Sequence, residues 1–128
     1  MKKNLAGVID VEIPRETYCS TLMLVNRIRI KKGEKPLKSL PIGRAGQSRS
    51  CPIANAVGGH ASGSIGWAAD DDKGRRLSHT IPSPKFALEF MNLVDKNGGR
   101  EVNPVPMGKP LPVNQLEALQ EKVDKIPI

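Results

Sequence analysis

Aromatic side chains are scarce here: Tyr18, Trp67, Phe86 and Phe90 are the only four in 128 residues. Binding single-stranded nucleic acid by base stacking needs rings on the surface, and both phenylalanines fall on a helical apolar stripe that belongs in a core. Cysteine is rarer still. Cys19 and Cys51 are too few to staple a disulfide-dense secreted fold. With His60 and His79 they form the whole set of soft metal ligands, at spacings that fit no zinc pattern. No metal and no cofactor is expected. Long apolar runs are also missing, since nothing approaches the ~18–20 residues that cross a bilayer. The basic start at Lys2-Lys3 resembles a signal peptide only until Asp10 and Glu12 interrupt its apolar run. These absences describe a soluble, cytoplasmic protein with reduced thiols and no membrane partner.

What the chain does have is positive charge in one place. Between Arg27 and Arg49 stand eight Lys or Arg against the single acid Glu34, which equals the +7 of the entire chain. Residues 1–26 and 50–128 are each balanced. A near-neutral body carrying one cationic segment implies an anionic partner: nucleic acid phosphates, or an acidic protein surface.

Read in order, residues 7–13 (GVIDVEI) alternate with Ile9, Val11 and Ile13 on one side, the period of a half-buried strand closed by Pro14. Residues 16–32 carry two signals. Arg27 to Lys31 alternates like a strand, but Lys31 and Lys32 followed by Gly33 and Pro36 read as a helix end, with Tyr18, Leu22, Val25 and Ile28 on one face. Helix is the better reading. Residues 33–49 form a long loop punctuated by Pro36, Pro41, Gly43 and Gly46. Ser48 or Ser50 can cap a short helix over 50–57 that starts at Cys51-Pro52 and stops at Gly58-Gly59. A hairpin is expected from strands 64–69 and 76–81 about a polar turn at 70–74. Ser83 and Pro84 open a helix over 83–97 whose Phe86, Ala87, Phe90, Leu93 and Val94 make the strongest apolar stripe. Four prolines in 99–113 read as an extended linker. Beyond it, Asn114 and Glu117 resemble a capping box opening an amphipathic helix to 128, with Leu116, Leu119 and Val123 along its stripe.

The fold class expected is therefore α+β. A short hairpin packs on three or four helices with a long basic loop, residues 1–98 form the domain, 99–113 the linker, and 114–128 a C-terminal helix that docks or serves a partner. Catalytic patterns are absent. The glycines at 58, 59, 63 and 66 lack the lysine and spacing of a phosphate loop, and Asp70–Asp72 lacks the twelfth-position glutamate of a calcium loop. Cys51 at a helix start would need a base to act as a nucleophile, and otherwise reads as a small buried hydrophobe.

Three stretches also carry a resemblance: residues 24–57, the SIGW at 64–67, and IPSPKFALEFMNLVDKNG at 81–98. A helix ending in G-x-x-P-L (Gly33, Pro36, Leu37) leads to a P-x-G-R-x-G loop (Pro41, Gly43, Arg44, Gly46). Then comes a helix starting Cys51-Pro52 with Ala54, and a later helix with Phe90, Asp95 and Gly98. This arrangement is similar to a group of small uncharacterised actinobacterial and actinophage proteins. The resemblance implies one module over about 20–98 in such a setting, and implies no activity.

The function expected is a non-enzymatic regulatory protein engaging nucleic acid through Lys31, Lys32, Lys35, Lys38, Arg44 and Arg49. The alternative is a protein-interaction module that uses the basic loop or Leu116, Leu119 and Val123.

Overall fold

The alternating run near the N-terminus is a strand, β2 (Ile9–Pro14), with β1 (Lys2–Lys3) antiparallel to its first two residues. Both belong to a computed structural model that describes residues 2–3, 7–62, 66–69 and 83–128. Ile9, Val11 and Ile13 are buried while Glu12 is exposed, as period two requires. Pro14 caps helix α1 (Arg15–Lys31), and its ring-fixed φ of −48° suits the turn from strand to helix. Tyr18, Val25 and Ile28 share the buried face, with Leu24 at its centre and Leu22 at its margin. Thr21 is wholly buried and satisfies its hydroxyl by donating to the Thr17 carbonyl at 2.8 Å. Gly33, at φ +89°, takes the left-handed turn that ends the helix.

The basic loop is folded back along α1. The Asn26 amide brackets the Leu37 backbone, donating to its carbonyl at 2.9 Å and accepting its N–H at 2.7 Å. The Leu40 N–H donates to the Tyr18 hydroxyl at 2.9 Å, and Leu40 is buried. The loop then supplies a two-residue strand, β3 (Gly43–Arg44). Helix α2 (Pro52–Val57) follows. Its cap is Cys51 rather than Ser48 or Ser50, the sulfur accepting the Ala54 N–H at 3.4 Å. Two further strands, β4 (Gly59–Ser62) and β5 (Gly66–Ala69), pair antiparallel, so the stretch around Trp67 has its hairpin partner upstream. The expected strand 76–81 and the turn 70–74 lie outside the described residues. Helix α3 (Lys85–Asp95) buries Ala87, Phe90, Met91 and Val94, and takes Pro84 rather than Ser83 as its cap residue.

The expected linker is a strand of the sheet. Residues Glu101–Met107 form β6, parallel to β2 over six residue pairs and flanked by β3 on its other side, giving the order β1-β2-β6-β3. Val102 is fully buried. Proline is tolerated because Pro104 and Pro106 are two residues apart, so both missing N–H groups point to the same side of the strand. With the opposite side laddered to β2, they face the edge where β3 has already ended. There a missing donor costs no hydrogen bond and blunts the edge against further pairing.

The last helix, α4 (Val113–Asp124), begins after Pro112, without the capping box expected from Asn114 and Glu117. It is no tethered arm. Leu119 is 7% and Val123 1% exposed, and Val123 joins the one cluster of buried side chains that runs through Ile9, Leu24, Ile53, Trp67 and Phe90. Among the described residues no helix is long and apolar enough to cross a membrane.

Candidate functional site

The cationic segment divides into residues that hold the fold and residues that face water. A helix ends with carbonyls that lack intrahelical partners, and basic side chains there both donate to them and oppose the negative end of the dipole. Arg27 does this for α4, its Nη1 donating to Val123 O at 2.6 Å and Ile126 O at 2.7 Å, with Asp124 3.7 Å from its Nε. Arg29 and Lys32 do it for α2. Arg29 Nη1 donates to Ala56 O at 2.7 Å and Lys32 Nζ to Val57 O at 3.2 Å. Glu34, the segment's only acid, pairs with both at 3.1 Å. Arg29 also closes the α1 turn through Nε to Lys35 O at 2.8 Å. Arg44 Nη1 donates to Gly99 O at 2.7 Å, and its Nη2 lies 3.6 Å from Glu101.

Two of the six residues expected to bind phosphate, Lys32 and Arg44, are thus built into the fold. Arg44 keeps half of its side chain in solvent. Lys31, Lys35, Lys38 and Arg49 are exposed. Among the described residues, none of the three lysines is in a salt bridge. They follow one another along the C-terminal turn of α1 and the segment pinned to it by Asn26 and Tyr18, so the stretch that carries them has a fixed backbone.

Of the three residues expected to capture a protein through the last helix, Leu119 and Val123 are covered by the body of the fold, and Leu116 is half-buried. A stripe cannot serve a free partner while its own core occupies it.

Neither thiol is prepared for nucleophilic chemistry. Burial pushes the Cys51 thiol up. N–H groups at the start of α2 counter this in part, and the charge of Asp95 adds to the rise. Burial likewise raises Cys19, against the lowering pull of Arg15. Both therefore stay protonated, the less reactive form, at neutral pH. Cys51 lines a small cavity of about 140 Å³ with Gln47, Phe90 and Asp95, and the Asp95 carboxylate accepts the Gly46 N–H at 3.0 Å. This ties the P-x-G-R-x-G loop to α3 and gives Asp95 a structural role. Among the described residues no group of His, Cys, Asp and Glu is placed to hold a metal ion.

The functions of Arg27, Arg29 and Lys32 as helix caps could not be read from the sequence, because the carbonyls they meet lie 25 to 99 residues away. Comparison with protein-family models, with curated proteins and with solved structures finds no match for this chain.

Proposed function

We propose that the protein is a small, non-enzymatic regulatory factor that engages the phosphate backbone of nucleic acid, in the cytoplasm of a bacterial or phage-infected cell. The observation that carries this reading is the exposure of Lys31, Lys35 and Lys38, close together on an anchored stretch of chain, with the charges outside 27–49 in balance. Arg49, and the half-exposed side chain of Arg44, extend the same segment. A rigid backbone helps, because ordering long loops on binding would oppose association. Duplex is favoured over single strands: Tyr18, Trp67 and Phe90 are buried, and Phe86, the one aromatic left partly open, packs against the core. Contacts to phosphate alone carry no sequence information, so affinity should vary little among duplex sequences.

The test is a salt titration of binding to random-sequence duplex DNA and RNA. Three phosphate contacts predict that log K falls against log salt with a slope of about −2.7, roughly a fortyfold loss between 50 and 200 mM. No retention on either duplex at low salt would remove the reading.

A further inference from the structure

Next to Lys31 and Lys35 in the chain, Ile30 and Pro36 line a surface that the phosphate-binding reading leaves unused. Cys19, Met23 and Ile30 follow one another along α1 at helical spacing, and each lines an open groove of about 360 Å³. One wall is α4, through Leu116 and Gln120, and the other is the returning loop, through Pro36. The floor is apolar and partly uncovered: Leu22 and Met23 are only partly buried, and Ile30 is 60% exposed. A single open carbon needs no explanation, but Met23, Ile30 and Leu116 line one groove together, the contiguous arrangement that an interaction surface uses.

The shape selects the occupant. From Cys19 to Ile30 the floor runs about 16 Å, three turns of helix. It has a helix on one side and no open strand edge to extend, so the fitting guest is another helix presenting an apolar stripe. The charge selects it further. Lys31 follows Ile30, Lys35 precedes Pro36, and both are exposed. At that end Glu34 is already paired with Arg29 and Lys32, and Asp124 is held by Arg27 and Gln120 at 3.7 and 2.9 Å. The α4 wall carries the exposed acids Glu117 and Glu121 instead, so only the Ile30–Pro36 end is positive, and it favours a guest whose acids sit beside its apolar stripe at that end. A second copy docked in the same direction would bring the same positive end to meet it, and sedimentation decides on an antiparallel one.

We infer that the groove between α1 and α4 binds an acidic amphipathic helix of a partner protein. Its apolar side chains lie on Met23, Ile30 and Leu116, and its carboxylates lie against Lys31 and Lys35. Because the lysines serve the phosphate-binding reading too, the guest also regulates that site by displacing nucleic acid.

The test uses the full-length protein and three synthetic peptides of about 14 residues, roughly four helical turns. One is a leucine-striped helix flanked by glutamates, one has the same composition scrambled, and one carries lysines in place of the glutamates. Fluorescence anisotropy should show the acidic helix binding at least about tenfold more tightly than either of the others. Ile30→Gln, which removes the apolar contact without adding charge, should weaken it by a similar factor while leaving duplex retention unchanged, since Ile30 touches no phosphate in this account. Lys31→Gln with Lys35→Gln should weaken both ligands. Equal binding of the scrambled peptide would overturn the proposal. So would sedimentation of the protein as a dimer that Ile30→Gln converts to monomer, because the groove would then hold a second copy. Failure of duplex binding with the peptide result intact would remove only the phosphate reading and the displacement.

Discussion

Gly43→Ala is expected to destabilise the protein by about 3 kcal/mol or more, the upper end of overpacking costs, and to lower its Tm by roughly 10 °C. At Gly43, β3 crosses the peptide that starts α2. A Cβ added there would stand 2.3 Å from Pro52 N and 2.4 Å from Cys51 C, distances no side chain adopts. The obstruction is backbone, so no rotamer change relieves it. The chain cannot simply back away either, because Arg44 N–H donates to Ser50 O at 2.8 Å and Ala45 N–H to Arg100 O at 2.8 Å. The glycine is needed for close approach, not for an unusual dihedral. Urea unfolding of the two forms checks this, and a loss below about 0.5 kcal/mol, the usual scatter of surface changes, would mean that β3 and α2 do not cross there.

A comparably large effect is expected at the other end of the chain. Val123→Asp places a carboxylate at a site 1% exposed, shut off from water, where the nearby Arg27 is already engaged by the Val123 and Ile126 carbonyls. A loss of about 4 kcal/mol is expected, a large part of the stability of a domain this size. Removing residues 113–128 should go further and abolish cooperative unfolding, because α1 would lose Leu119 and Val123 from its flank and Arg27 would lose the carbonyls it caps. Thermal melts followed by circular dichroism decide the matter. A truncated protein that melts near the full-length Tm would mean that α4 is a free arm, as the proline-rich approach to it implied.

The contrast between these two ends shows what the sequence can convey. Elements whose signals are local were legible. The alternation Ile9-Val11-Ile13, the Gly33 stop of α1, the Pro52 start of α2 and the apolar stripe of α3 each need only neighbouring residues to be read. The strand β6 was not legible, because its partner β2 lies more than 90 residues earlier and nothing local distinguishes a proline-bearing strand from a linker. The spacing of Pro104 and Pro106 is consistent with a strand, but it becomes informative only once the ladder to β2 is known. Trp67 illustrates the same limit, since the strand around it was expected but its pairing with β4 was not, and the expected partner at 76–81 lies outside the described residues.

The candidate site was half legible for a related reason. Charge density in 27–49 was plain, but composition cannot distinguish a lysine that faces water from an arginine that closes a helix. The caps made by Arg27, Arg29 and Lys32 depend on where α2 and α4 come to rest, and that is decided by the core. A solvated face was the simplest expectation for every one of these side chains, and Arg27, Arg29, Lys32 and Arg44 each do otherwise.

The division of labour within the segment can be measured by comparing two variants for thermal stability and for retention on duplex DNA. In one, Lys31, Lys35 and Lys38 are changed to Gln. In the other, Arg29 is changed to Met, which leaves two backbone carbonyls without their donor and Glu34 with Lys32 alone, at a cost of roughly 2–3 kcal/mol. The account predicts that the triple variant keeps the parental Tm and loses retention, whereas Arg29→Met melts earlier yet retains DNA while folded. A triple variant that still binds, or an Arg29→Met protein that keeps its Tm and loses binding, would contradict it.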